Sequence, residues 1–173
     1  MEQLIALVDS DDNIIGYQEK YLVHSKGLLH RAFSILVFNS KREILLQQRA
    51  NDKYHSAGLW TNTCCSHLPQ NHNMESFIHE RLIGEMGFDC ELKFVSSFHY
   101  QVTLNDGMTE NEIDHIYIGF FEGMPSPNSE EVSNWKWCNT DDLRKEIQSN
   151  PEKYTYWFKN ILENHFELVK NQL

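Results

Sequence analysis

Cysteine, proline and glycine are all sparse in this chain, numbering four, four and eight among 173 residues. The four cysteines do not form a secreted disulfide framework. Two of them, Cys64 and Cys65, are adjacent, vicinal thiols bridge only with strain, and a chain of this length builds a core without staples. Reduced thiols in a cytoplasmic protein are the expectation. No internal repeat, linker or low-complexity stretch interrupts the chain, so one domain spanning residues 1–173 is expected. There is no apolar run long enough to cross a membrane, and the start, MEQLIALVDSDDN, lacks the basic opening of a signal peptide. Basic residues are outnumbered, 15 against 25 acidic ones, for a formal charge of −10. That balance argues against nucleic-acid backbones and anionic membranes as partners. A phosphorylated ligand would need a metal or a local basic cluster.

What is present is ordinary globular material, 40% apolar and 23% charged, with 12% aromatics, enough to line a pocket as well as a core. Ile5 to Val8 and Ile14–Ile15 flank a turn at Ser10–Asn13 and predict a hairpin. Glu19 to His24 reads as a helical turn or a loop. Ala32 to Phe38 is a continuous apolar run, the pattern of a strand covered on both faces, with Ile44 to Gln48 returning beside it. Met74, Phe77, Ile78, Leu82 and Met86 recur at helical spacing, with Asn73 to cap the start and Gly87 to end it. Leu92 to Val102 and Ile113 to Glu122 predict strands around a loop at Asn105–Gly107, and Val132 to Cys138 a last strand. Thr140 is placed to cap a short helix. Asn150-Pro151 opens a longer one carrying Tyr154, Trp157, Phe158, Ile161, Leu162, His165, Phe166 and Val169. The sum is a mixed α/β fold, a sheet between helices.

Groups that bind metals and move protons concentrate at a few places. WTNTCCSH, Trp60 to His67, sets a thiol pair beside an imidazole, and TENEIDH supplies Glu110 and Glu112, which alternate and so share one face of a strand. His24, His30 and His67 with these two acids make a mixed nitrogen and oxygen set suited to Mn²⁺, Mg²⁺ or Zn²⁺. A cysteine here can be an inert core residue, half of a structural zinc site, or a reactive thiol, although C-x-x-C spacing is absent. Spacing alone does not rank Cys64 against Cys65. Cys90 and Cys138 have no polar company. Glu85, a carboxylate on a helix after a loop, could grip a Mg²⁺–diphosphate, with Lys20, Arg49, Lys53 and Arg81 as compensating cations. Alternatively Arg81 and Glu85 are an exposed pair four residues apart.

With those residues in view, the chain resembles type I isopentenyl-diphosphate isomerases, a branch of the Nudix superfamily. The likeness runs through LHRAFSILVFN, LLQQRA, KYHSAGLWTNTCCSH, GEMGF, ENEIDH and VSNWKWC, nearly the whole length. It implies a Nudix-like mixed sheet between helices, a monomer, and a small diphosphate substrate. It implies that Cys65 is the catalytic thiol and Glu112 its partner across the substrate, with Tyr100 helping the acidic group and Trp157 facing a developing carbocation. By the same likeness His24, His30, His67, Glu110 and Glu112 hold one metal, Glu85 a Mg²⁺ carried by the diphosphate, and Lys20, Arg49, Lys53 and Arg81 contact the phosphates.

The chain also departs from its relatives. Hydrolytic Nudix enzymes carry REUxEExGU, whereas ERLIGEMGF, residues 80–88, keeps only Glu85 and Gly87 of the key places. That degeneracy argues against water-activating hydrolysis. Leu68 stands between His67 and Pro69, and Ala57 replaces a frequent proline, both of which bear on loop shape. Two other functions are weighed beside the isomerase: a pyrophosphohydrolase acting on another diphosphate, and a non-catalytic module in which Cys64, Cys65 and His67 form a zinc knot.

Overall fold

The structure is a computed structural model and describes residues 3–53, 55–104 and 107–173. The chain runs β1 (Leu4–Val8), β2 (Ile14–Glu19), α1 (Lys20–Lys26), β3 (His30–Phe38), β4 (Glu43–Arg49), β5 (Trp60–Thr61), β6 (Cys64–His67) and α2 (Met74–Met86). It continues with β7 (Leu92–Thr103), β8 (Thr109–Phe120), β9 (Val132–Asn139), α3 (Thr140–Ser149), α4 (Tyr156–Asn160) and α5 (Phe166–Lys170). The expected loop at Asn105–Gly107 falls on Asn105 and Asp106, which lie outside the described residues.

β3 is the axis. It pairs in parallel with β8, His30 facing Glu112 and Phe38 facing Phe120, and antiparallel with β6, Ser34 facing Cys65. The apolar run behaves as its pattern predicts. Phe33, Ile35 and Val37 pack toward α2 with Phe77, Ile78, Leu82 and Met86, while Leu36 and Phe38 pack with Phe98, Ile116, Phe158 and Ile161 on the opposite face. Each large side chain buried this way contributes about 1.5–3 kcal/mol. The sheet therefore lies between α2 on one side and α3 with the C-terminal helices on the other.

The start and end of α2 follow the sequence. Asn73 accepts from Ser76 N at 2.9 Å, and Gly87 takes φ 74° where a Cβ would stand 2.1 Å from the Ser126 carbonyl oxygen, so no other residue fits there. Of the two readings of Glu19 to His24 the helical one holds: α1 is capped by the Glu19 carboxylate, which accepts from Tyr21 N and Leu22 N. Two other expectations are corrected. The cap of α3 is Asn139, whose side-chain Oδ1 accepts from the amides of Asp141 and Asp142, and Thr140 is the first helical residue. The segment after Asn150 is not one helix. Pro151–Lys153 form a 3₁₀ turn and Tyr154 is extended. There Tyr154 bridges to Trp60, and Thr155 N donates to the Trp60 carbonyl at 3.0 Å. The helix then restarts as α4, passes through a π-helical segment, Ile161–His165, and ends as α5.

β3 and β4 are register-paired only at Phe38 and Ile44. Below that point they part, β3 pairing with β6 instead, and residues of β3, β4 and β6 line a cavity of about 370 Å³. Groups from both faces of the sheet reach it.

Candidate active site

At one end of the cavity three imidazoles meet two carboxylates. His30 and Glu112 are register partners on β3 and β8; Glu110 lies two residues earlier on the same face, His67 ends β6, and His24 comes from α1. Donor atoms of His24, His30, His67, Glu110 and Glu112 all lie within 4.8 Å of one another, and all five residues are buried. The expectation that Glu110 and Glu112 share a face is met, and neither is solvated.

The donor set fits a divalent cation. His30 Nδ1 is committed to the Leu28 carbonyl at 2.8 Å, which leaves Nε2 to face Glu112 at 3.4 Å and Glu110 at 3.7 Å. Fixing one ring nitrogen on a carbonyl is how metal-ligating histidines are oriented. His30 Nε2 and Glu110 Oε2 are buried close to one another and to their neighbours but in no well-aligned hydrogen bond, a shortfall that a cation between them would make up. The Nε2 atoms of His24 and His67 stand 3.4 Å apart. Burial presses the Glu110 pKa upward, but bonds from His24, His30 and His67 bring it well below the carboxylate range. Glu112 feels burial and the charge of Glu110, and bonds to His30 and His67 still hold it low.

Strand alternation separates the two thiols. Cys64 points to the α2 side and is buried among Phe33, Leu45 and Phe77. Cys65 points the other way, packs against the cluster that contains Trp157 and lines the cavity. The zinc-knot set of Cys64, Cys65 and His67 is therefore not assembled. Burial lifts the Cys65 thiol to about 12, with Arg49 opposing the rise, so the thiol keeps its proton. Tyr100, the register partner of Glu112, donates from Oη to Glu112 Oε2 at 2.6 Å. Burial and that carboxylate push its own phenol well above the ordinary range. Trp157 is 5% exposed and its ring already meets a cation, with the Arg49 guanidinium 5.4 Å from its centroid.

The same cavity is lined by Lys20, Arg49, Lys53 and Arg81, the four cations named from the sequence, together with Glu85. The exposed-pair alternative for Arg81 and Glu85 fails. Glu85 is 5% exposed, it pairs with Arg81, and Gln47 Nε2 donates to its Oε2 at 2.8 Å. Burial lowers the Lys20 pKa.

Sequence reasoning missed several participants. His55 is buried, with Nε2 3.5 Å from Glu110 Oε1 and its ring edge-on to Trp157 at 6.1 Å. Burial takes its pKa down to about 3. A single histidine in a polar loop gave no signal beyond its place in KYHSAGLW. Asp114 lies on the same face as Glu112, is 1% exposed and accepts from Ser34 Oγ at 2.8 Å. Burial and the charge of Glu112 raise it well above the usual range. Leu68, the residue set before Pro69, is a core residue at 2% exposure.

Comparison with known proteins gives the family and the fold. The NUDIX domain model matches residues 28–158. The chain is 49% identical over 164 residues to the isopentenyl-diphosphate Delta-isomerase of Serratia proteamaculans, covering 95% of this chain and 92% of that protein. It is 51% identical over 162 residues to isopentenyl-diphosphate Delta-isomerase 2 of Photorhabdus laumondii, covering 94% and 92%. In fold it is similar to the crystal structure of DR0079 from Deinococcus radiodurans, with a TM-score of 0.77, 16% identity and coverage of 97% and 98%. The chain belongs to the type I isopentenyl-diphosphate Delta-isomerases, a family within the Nudix superfamily.

Proposed function

We propose that this protein interconverts isopentenyl and dimethylallyl diphosphate by adding a proton to the terminal methylene carbon and removing one from the carbon beyond the double bond. The observation that carries the reading is the shared cavity. A protonated thiol, Cys65, and a carboxylate held ionised, Glu112, face one space whose wall also presents four cations and Glu85. One donor and one acceptor are what an addition and elimination at two carbons needs. Net atoms balance, because the proton gained at one carbon is matched by the proton lost at the other.

An unactivated alkene is a weak base, so protonation leaves a tertiary carbocation that must be kept from water. The ring of Trp157 lines that region and offers a π face to the cation. Tyr100 holds Oε2 of Glu112 while Oε1 faces His67 and His30, which fixes the carboxylate between phenol and cluster. Lys20, Arg49, Lys53 and Arg81 bind the diphosphate and keep it from the reacting carbons. A divalent cation, Mn²⁺, Mg²⁺ or Zn²⁺, held by His24, His30, His67, Glu110 and Glu112 would supply the positive charge that keeps Glu112 ionised, and Glu85 would hold a Mg²⁺ carried by the diphosphate.

Proton NMR of isopentenyl diphosphate incubated with the protein, Mg²⁺, Mn²⁺ and a reductant in D₂O tests the proposal. Dimethylallyl diphosphate with deuterium incorporated is the expected result. Phosphate release without a double-bond shift would overturn it in favour of a pyrophosphohydrolase, and unchanged substrate would overturn the isomerase reading.

A further inference from the structure

Two of the cations assigned to the diphosphate already have an anion between them. Lys53 Nζ pairs with Glu131 Oε2, and the same oxygen lies 3.5 Å from Arg81 Nη2. One oxygen shared by an ammonium and a guanidinium is the arrangement that a phosphate oxygen would take. Glu131 ends the turn that leads into β9, and its backbone is anchored on both sides. Its carbonyl accepts from Ala50 N at 3.0 Å and its amide donates to Asn128 O at 3.0 Å. The main chain is thus fixed while the side chain reaches into the cavity.

Charge makes this contact consequential. Among the described residues the cavity is lined by four cationic side chains and six carboxylates. A diphosphate entering such a wall must bring cations with it, displace a carboxylate, or both. Three of the six cannot leave. Glu110 and Glu112 stand on a central strand at 2% and 5% exposure, and Glu85, at 5%, is held by Gln47. The Glu131 side chain is 25% exposed and can rotate outward from its turn.

We infer that Glu131 is a placeholder for the ligand: it occupies the phosphate position between Lys53 and Arg81 in the free protein, keeps those two cations poised, and is displaced by each phosphate ligand that binds. The inference rests on the diphosphate reading of the cavity. Its signature is unusual, because removing the charge strengthens binding, whereas loss of a structural contact or of a metal ligand weakens it.

The test is calorimetric titration of the full-length protein with inorganic pyrophosphate in Mg²⁺, and with orthophosphate with and without Mg²⁺. Glu131→Gln is expected to tighten both ligands by the same factor, about three- to tenfold for a partly exposed pair. The factors match because every ligand at this position meets the same displacement cost. Glu130→Gln removes the same charge from the same cavity lining, but Glu130 pairs with neither cation among the described residues, so its effect should be much smaller. Equal effects of the two variants would overturn the inference, as would weaker or unchanged binding in Glu131→Gln, or tightening confined to pyrophosphate in Mg²⁺. If the unmodified protein binds no pyrophosphate at all, the reading of the cavity itself fails. If it binds and only the tightening is missing, the placeholder alone fails.

Discussion

Cation binding at the histidine and glutamate cluster should release a proton, and His30 is where it comes from. Burial opposes a charge on His30, but bonds to Glu110 and Glu112 outweigh it and raise its pKa to about 9. A ligating imidazole must offer a lone pair, so a cation competes with the proton on Nε2. Apparent affinity for Mn²⁺ should therefore climb about tenfold for each pH step of one between 7 and 9, about a hundredfold in all, or about 2.7 kcal/mol. Glu110 and Glu112 are both held below the usual carboxylate range, so they give up no proton in that window. Titration calorimetry of the metal-free protein at pH 7, in two buffers of different ionisation enthalpy, should count about one proton released per ion. The same proton affects folding. A folded-state pKa of about 9 lies above the ordinary 6.5. The contribution, about 3 kcal/mol, is thus complete below pH 6.5 and fades as pH rises through 9. Protein treated with EDTA should melt lower at pH 9 than at pH 6.5. Affinity that is flat from pH 7 to 9, with no proton released, would refute the reasoning.

Three further outcomes are expected. Cys65→Ala and Glu112→Gln should each lower isomerisation by at least about a thousandfold with the circular dichroism spectrum unchanged, whereas Cys64→Ala should cost about 1 kcal/mol of stability in urea melts and leave turnover in place. Tyr100→Phe strands one oxygen of Glu112, so kcat should fall about ten- to a hundredfold with little change in KM, measured by steady-state kinetics. Because burial lifts the Cys65 thiol to about 12, its alkylation by iodoacetamide in metal-free protein should be slow at pH 7.5 and quicken about tenfold per pH step toward 10, read by mass spectrometry; a fast reaction at pH 7.5 would contradict the half-buried, protonated thiol.

The parts of this molecule that were legible in the sequence are those set by local periodicity. Ala32 to Phe38 announced a strand covered on both faces, and the alternation of Glu110 and Glu112 placed both acids together. Choosing between Cys64 and Cys65 was beyond spacing, because alternation says only that they oppose each other. Which one faces the cavity is decided by the pairing of β6 with β3. Glu85 looked exposed because it lies away from much of the apolar stripe of α2, and it is buried because β4 brings Gln47 against it. The break at Tyr154–Thr155 has a long-range cause, the bond to the Trp60 carbonyl and the hydroxyl pair of Thr61 and Thr155 at 2.9 Å. No window of local sequence contains both partners.

The opposed thiols of β6 have a consequence for what insertions and deletions can do here. Sliding this strand by one residue exchanges every side chain between faces. The adjacent cysteine would then supply a thiol to the cavity, as if held in reserve. The same slip would turn His67 away from Glu112, with which it is paired at 2.7 Å, and bring Ser66 into its place. Duplication of the cysteine is thus no insurance: a one-residue slip of the strand spares the sulfur and forfeits an imidazole of the histidine and glutamate cluster, and the register that selects Cys65 is the one that selects His67.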